Sequence, residues 1–137
     1  MRVVVDNNVI IDALIPNAQF EAEAQEILRL ASVKEIDGFV SANSLSDIFY
    51  VLRKIHGFEK AKAMIKKLFF MLDIIGIDSN NCMDALELPM SDFEDALVAV
   101  CATKINADYI VSRDDKFINA ETEIKIITPT QMLAEVR

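Results

Sequence analysis

The sequence predicts an α/β fold in which helices cover both faces of a parallel sheet. Short apolar segments typical of strands alternate with helical patterns along the whole chain, and parallel neighbours need crossover connections that are usually helical. The 137 residues, of which 53% are hydrophobic and 26% charged, suffice for one domain with its own core. We therefore expect a single domain spanning residues 1–137, without a linker.

Five segments are predicted to be strands because they are short, apolar and mostly β-branched. They cover residues 2–6, 38–41, 72–77, 108–112 and 124–127. The run 64–77 carries too many charges and is too short to cross a bilayer, so we expect it to be core.

The predicted helices follow from apolar residues at spacings of three and four and from helix start and stop signals. Asn7 and Asn8 offer cap chemistry for a first helix ending near Pro16, Gly57 separates two helices expected to form a hairpin, and Pro89 ends another. The remaining boundaries place helices at 20–34, 44–56, 59–70, 79–88, 92–104 and from 129 onwards.

Composition excludes several classes of protein. A formal net charge of −8 argues against binding nucleic acid through a basic surface alone. The two cysteines have no CxxC spacing and the chain has one histidine, so we expect neither a zinc site nor a disulfide scaffold. No secretory signal is visible, and we expect a cytoplasmic protein without a membrane role.

Four aspartates stand at predicted strand ends and helix starts, namely Asp6, Asp47, Asp95 and Asp114. An α/β fold would bring these positions to the carboxyl edge of the sheet, where open α/β folds bind ligands. Carboxylates gathered there repel one another, and hard cations such as Mg²⁺ or Mn²⁺ hold them ionised together. The pattern predicts a divalent-metal site that hydrolyses a phosphodiester.

Each acid also has a purely structural interpretation. Asp6 could be a helix cap, and Asp47 stands three residues after Ser44 in nearly a capping-box pattern, with Asn43 or Ser44 as the cap. For the helix at 92–104 we expect Ser91 and Glu94 to form a capping box. Asp95 then shares a face with Asp92, Ala99 and Ala102 and is the better ligand. The segment 112–115 could be an ordinary polar loop.

Taken together, the segments 4–9, 44–52, 92–97 and 110–114 resemble the PIN-domain family of small metal-dependent nucleases, which includes VapC-like toxins. Ala102 and the segment 127–129 extend the similarity over essentially the whole chain. Two positions differ from the usual family pattern. Asp47 stands where Glu is most common, and Asn7 where Thr or Ser is common.

The resemblance implies a three-layer α/β/α domain with a five-stranded parallel sheet of order 3-2-1-4-5. It implies a Mg²⁺- or Mn²⁺-dependent ribonuclease, the toxin of a toxin–antitoxin pair, that forms a homodimer. Asp6, Asp95 and Asp114 would bind the cation, and Asp47 would complete its shell or orient the attacking water. The small antitoxin would bring a basic tail into the acidic pocket.

Four other polar residues are candidates for contacts near these acids. Asn8 and Ser112 would touch substrate or hold the acids in place, and Arg113 and Lys116 would either contact phosphates or lie in solvent. The alternative from another class is a non-catalytic module whose acidic groove binds a basic partner segment. A small-molecule phosphatase has no supporting motif.

Overall fold

The computed structural model describes residues 1–15 and 19–136, and its centre is a five-stranded parallel sheet. The strands are β1 (Arg2–Val5), β2 (Asp37–Ser41), β3 (Asp73–Ile75), β4 (Tyr109–Val111) and β5 (Ile126–Ile127). Their order across the sheet is β3-β2-β1-β4-β5, and every neighbouring pair is parallel. The predicted fold class and strand order are confirmed.

Helices connect the strands and lie on both faces of the sheet. They are α1 (Asn7–Leu14), α2 (Glu21–Ser32), α3 (Ala42–His56), α4 (Phe58–Leu68), α5 (Ser79–Leu86), α6 (Phe93–Lys104), α7 (Asp115–Ile118) and α8 (Pro129–Val136). The first helix was predicted to end near Pro16, which lies outside the described residues. In the described part α1 extends to Leu14.

The alternation of side chains along β1 divides the core between the two faces. Val3 and Val5 belong to the cluster built with α1, α2, α3, α4 and α8, whereas Val4 packs with α6 and α7 on the other face. All three valines are fully buried. The central position of β1 explains why its sequence is apolar on both sides.

The register of the central strands brings two strand ends together. Val5 of β1 pairs with Val111 of β4, and the Asp6 amide donates to the Val111 carbonyl at 2.9 Å. Asp6 and Ser112 therefore leave the sheet side by side, at its carboxyl edge.

Two predicted helix starts are wrong. Helix α3 begins at Ala42 with Ser41 as its N-cap, because β2 passes into the helix without a loop, and Ser41 Oγ lies 2.9 Å from Ser44 Oγ. Helix α6 has Asp92 as its N-cap, and the Asp92 carboxylate accepts from the Asp95 amide at 3.1 Å. The expected capping boxes from Ser44 and from Ser91 therefore do not form.

The segment 64–77 was expected to be core, and this is only partly correct. Leu68 and Leu72 are buried, but Phe69 and Ile74 are exposed and Phe70 is 82% exposed. The reason is that β3 is an edge strand, so the turn leading into it lies at the surface. Among residues 1–15 and 19–136, none of the helices has both the length and the apolar character needed to span a bilayer.

Candidate active site

Asp6 is a buried carboxylate at the centre of the site, with only 4% of its surface exposed. It caps α1, since Oδ1 accepts from the Asn7 amide at 2.9 Å. Its Oδ2 accepts from the Ser112 hydroxyl at 2.8 Å and from Asn8 Nδ2 at 3.2 Å. The cap interpretation is therefore correct, and the same geometry also fixes the carboxylate at the sheet edge.

Ser112 and Asn8 join β1 and β4 around this carboxylate. Ser112 is fully buried, and its Oγ accepts from the Asp114 amide at 3.1 Å and lies 3.2 Å from Asn8 Nδ2. Asn8 Oδ1 accepts from the Arg113 amide at 3.3 Å. Asn8 and Ser112 thus both hydrogen-bond to the Asp6 carboxylate, and a contact of either residue with substrate stays a prediction.

Asp47 reaches the site from the second turn of α3. Its Oδ2 accepts from Asn7 Nδ2 at 3.3 Å, so Asn7 links Asp47 to the start of α1. Because α3 begins at Ala42, Asp47 is too far into the helix to be the capping partner predicted for it.

Glu94 is a residue of the site that sequence reasoning missed. Its carboxyl group lies close enough to that of Asp47 for the two to interact, and Asn43 Nδ2 donates to the Glu94 carbonyl at 3.5 Å. Although the residue as a whole is exposed, partial burial of its carboxyl group, followed by the contact with Asp47, raises the pKa of Glu94 to about 7. Only the packing of α3 against α6 brings these two acids together, and no spacing in the sequence signals it.

Among the predicted site acids, Asp95 has the most strongly raised pKa. Burial raises its pKa to about 7, and the charges of Asp92, Asp6 and Asp114 add to the shift, while Lys116 opposes it. Burial likewise raises the pKa of Asp6, against the hydrogen bonds from Ser112 and Asn7. The structure thus brings the acids of β1, α6 and the β4–α7 loop close enough for their charges to interact.

Asp114 and Lys116 complete the rim of the site. Asp114 is exposed and caps the short helix α7, accepting from the Lys116 amide at 3.1 Å. Beside these residues lies a cavity of about 190 Å³, which opens between the start of α6 and α7. Its lining residues are Pro89, Met90, Ser91, Asp92, Asp95, Lys116, Phe117 and Ala120.

The donor set suits a hard divalent cation. Among the described residues, no three His, Cys, Asp or Glu side chains are arranged as a ready-made ion-binding group. Burial is the main cause of the raised pKa values of Asp6, Glu94 and Asp95, and the charges of neighbouring carboxylates add to it. Carboxylate oxygens are the ligands that Mg²⁺ and Mn²⁺ prefer. By the chemistry of their donors these residues suit the predicted cation, and its binding here stays a prediction.

Arg113 was predicted as a possible phosphate contact, and its guanidinium already has partners. Nε and Nη2 both donate to the carboxylate of Asp12 on α1, and the group lies 4.4 Å from the centre of the Phe20 ring. A contact from Arg113 to phosphate stays a prediction, and it would compete with this ion pair.

A family model described as "PIN domain" matches residues 2–116. The chain belongs to the PIN-domain family. A Ribonuclease VapC1 from Aquifex aeolicus (strain VF5) is 29% identical to it over 128 residues, which cover 90% of this chain and 88% of the relative.

Two solved structures share the fold of this PIN domain. The first is VapBC2 from Rickettsia felis bound to a DNA fragment from its promoter, with a TM-score of 0.71, 17% identity, and coverage of 93% of this chain and 98% of that one. The second is VapC20 from Mycobacterium tuberculosis, described as a Sarcin-Ricin loop cleaving toxin, with a TM-score of 0.67, 16% identity, and coverage of 84% and 92%.

Proposed function

We propose that this PIN domain is a Mg²⁺- or Mn²⁺-dependent endoribonuclease and the toxin of a type II toxin–antitoxin pair. The observation that carries the proposal is the convergence of Asp6, Asp95 and Asp114 at the carboxyl edge of the sheet, where the charge of Asp114 adds to the rise that burial causes in the pKa of both Asp6 and Asp95. Membership of the PIN-domain family and the similarity to Ribonuclease VapC1 support the nuclease class.

In this proposal Asp6, Asp95 and Asp114 hold the cation, and Asp47 completes its shell or orients the attacking water. A bound Mg²⁺ or Mn²⁺ supplies a water of lowered pKa and neutralises charge that develops on the phosphate. Ser112 and Asn8 keep the Asp6 carboxylate in one orientation through their bonds to Oδ2.

Substrate approach must overcome the negative charge of the protein. Lys116 is exposed beside Asp95, and its charge already opposes the pKa shift of that acid. It is therefore the basic side chain best placed to meet a phosphate of the RNA backbone at the cavity between α6 and α7.

The proposed partners follow from the relatives and from the surface. A toxin–antitoxin complex from Klebsiella pneumoniae shares this fold, and we propose a small antitoxin whose basic tail pairs with the acidic site. A homodimer would bury exposed aromatic side chains such as Phe58 and Phe70. We place the protein in the cytoplasm, where its RNA substrate and its antitoxin would meet it.

The alternative is a non-catalytic PIN module whose acidic groove binds a basic partner segment. The short side chain of Asp47 favours it, because Asp reaches about one C–C bond less far than the Glu common at this position. The two neighbouring carboxyl groups of Asp47 and Glu94 would also suit a basic side chain of a partner.

Cleavage of a mixture of RNAs by the purified protein separates the two functions. The nuclease should cut RNA in Mg²⁺ or Mn²⁺ and lose this activity in EDTA. Intact RNA under every metal condition, together with a folded protein and tight binding of an Arg- and Lys-rich peptide, would establish the binding module instead.

A further inference from the structure

Asp12 is a buried acid that the proposed chemistry does not use. It lies on α1, two turns after Asp6, and only 3% of its surface is exposed. A buried carboxylate is costly unless it is paired, and its partner here is Arg113, from the loop after β4.

The contact between these two residues has a defined geometry. Arg113 donates from Nε to Asp12 Oδ2 and from Nη2 to Asp12 Oδ1, the second at 3.0 Å. The Phe20 ring covers the guanidinium at 4.4 Å. Two parallel hydrogen bonds and a covering ring fix the orientation of an arginine far better than a surface ion pair does.

The position of Arg113 in the chain gives this contact its importance. Arg113 stands between Ser112, which donates to Asp6, and Asp114, one of the proposed ligands. Its amide also donates to Asn8 Oδ1, so the backbone and the side chain of one residue hold two successive turns of α1.

We propose that Asp12 and Arg113 are positioning residues that lock the β4–α7 loop against α1 and so set the distance between Asp6 and Asp114. The expected effect on catalysis rests on the proposed function. The expected effect on the loop is independent of that function, because the hydrogen bonds involved belong to the metal-free protein.

The competing role for Arg113 is a phosphate contact, and Asp12→Asn distinguishes the two. The substitution keeps the shape of the side chain but removes the charge that holds the guanidinium. A phosphate-binding Arg113 would be released by this change and would bind RNA more tightly, with a lower KM. A positioning Arg113 would lose its anchor, so that kcat and Mn²⁺ affinity fall.

The first measurement is amide hydrogen exchange by NMR in EDTA. Asp12→Asn should speed exchange about tenfold or more at the amides of Arg113 and Asp114, which donate to Asn8 and Ser112. The amide of Ile110, bonded to Lys125 within the sheet, should keep its wild-type rate. Unchanged exchange at the two loop amides, or equal acceleration at Ile110, would overturn the positioning role.

The second measurement is Mn²⁺ binding by calorimetry together with RNA cleavage, both well below the melting temperature. Losing a residue that orients a ligand typically costs 10- to 100-fold in metal affinity or activity, and we expect a loss within that range. Asp37→Asn is the matched control, because it makes the same change at an exposed acid at the start of β2 and should leave both values unchanged.

The positioning role can still be tested if Asp12→Asn does not fold or if the wild type is inactive. If Asp12→Asn does not fold, Arg113→Lys preserves the charge, loses the two-pronged contact, and should give the same pattern of exchange. If the wild type neither binds Mn²⁺ nor cuts RNA, the proposed function fails, while amide exchange still decides whether the pair positions the loop.

Discussion

Removing the charge of Asp95 should stabilise the metal-free protein. The side chain of Asp95 makes no cap, because Asp92 caps α6 and only the Asp95 amide takes part in that contact. Burial and the charges of Asp92, Asp6 and Asp114 raise its pKa to about 7 from 3.8. Asn keeps the shape of the side chain and removes this repulsion.

The size of the effect follows from the pKa shift. Such a shift in a fully buried group would correspond to about 4 kcal/mol, and solvent screening at this partly exposed carboxyl reduces the expected gain to about 1–2 kcal/mol. For a chain of this length the gain is a rise of about 3–6 °C in melting temperature.

The stability gain from Asp95→Asn depends on pH. The folded-state pKa is raised, so the protonated acid is favourable below about pH 4, and this stability is lost as pH rises through 7. Thermal scans in EDTA should therefore show Asp95→Asn melting above the wild type at pH 8, with the difference gone at pH 4. Asp37→Asn, an exposed acid at the opposite edge of the sheet, should show no such difference. A lower melting temperature for Asp95→Asn at pH 8 would refute the reasoning.

The remaining predictions concern the two acids between α3 and α6. Asp47→Glu should tighten Mn²⁺ binding or raise the cleavage rate, because the longer chain reaches further, whereas Asp47→Ala should lower both with little change in fold. Wild-type values in both variants would remove Asp47 from the site. Glu94→Gln should raise metal-free stability above pH 7 by under about 1 kcal/mol, since it ends the repulsion with Asp47 that helps raise the pKa of Glu94. A urea titration at pH 8 measures this, and a loss of stability there would show that the Glu94 charge is favourable.

The fold could be predicted from sequence because its signals are local. The three valines of β1 are buried on both faces, and turn or cap residues separate every strand except β2 from the next helix. Helix starts were less predictable, because the predicted caps were Asn43 or Ser44 for α3 and Ser91 for α6. Ser41 rather than Ser44 starts α3, and Asp92 rather than Ser91 starts α6. For α3 the cap is set by where β2 ends, which depends on the sheet.

The site was most directly predictable where its residues follow strands. Asp6 and Ser112 are neighbours because the register pairs Val5 with Val111, and adjacent parallel strands end together. Asp12 looks like an ordinary surface position of a helix, and only its burial under Arg113 shows its role. Pairings between helices that are distant in sequence have no local signal.

Single-turnover RNA cleavage in Mn²⁺ by the wild type and by Asp6→Asn tests the central claim most directly. Asn is as good a helix cap as Asp, so the substitution should spare α1 while removing the buried charge that three donors hold toward the cation. We expect the rate to fall at least about 100-fold, equivalent to about 3 kcal/mol of transition-state stabilisation, with Asp37→Asn at the wild-type rate. Equal cleavage by the wild type and Asp6→Asn, or cleavage that persists in EDTA, would contradict the account.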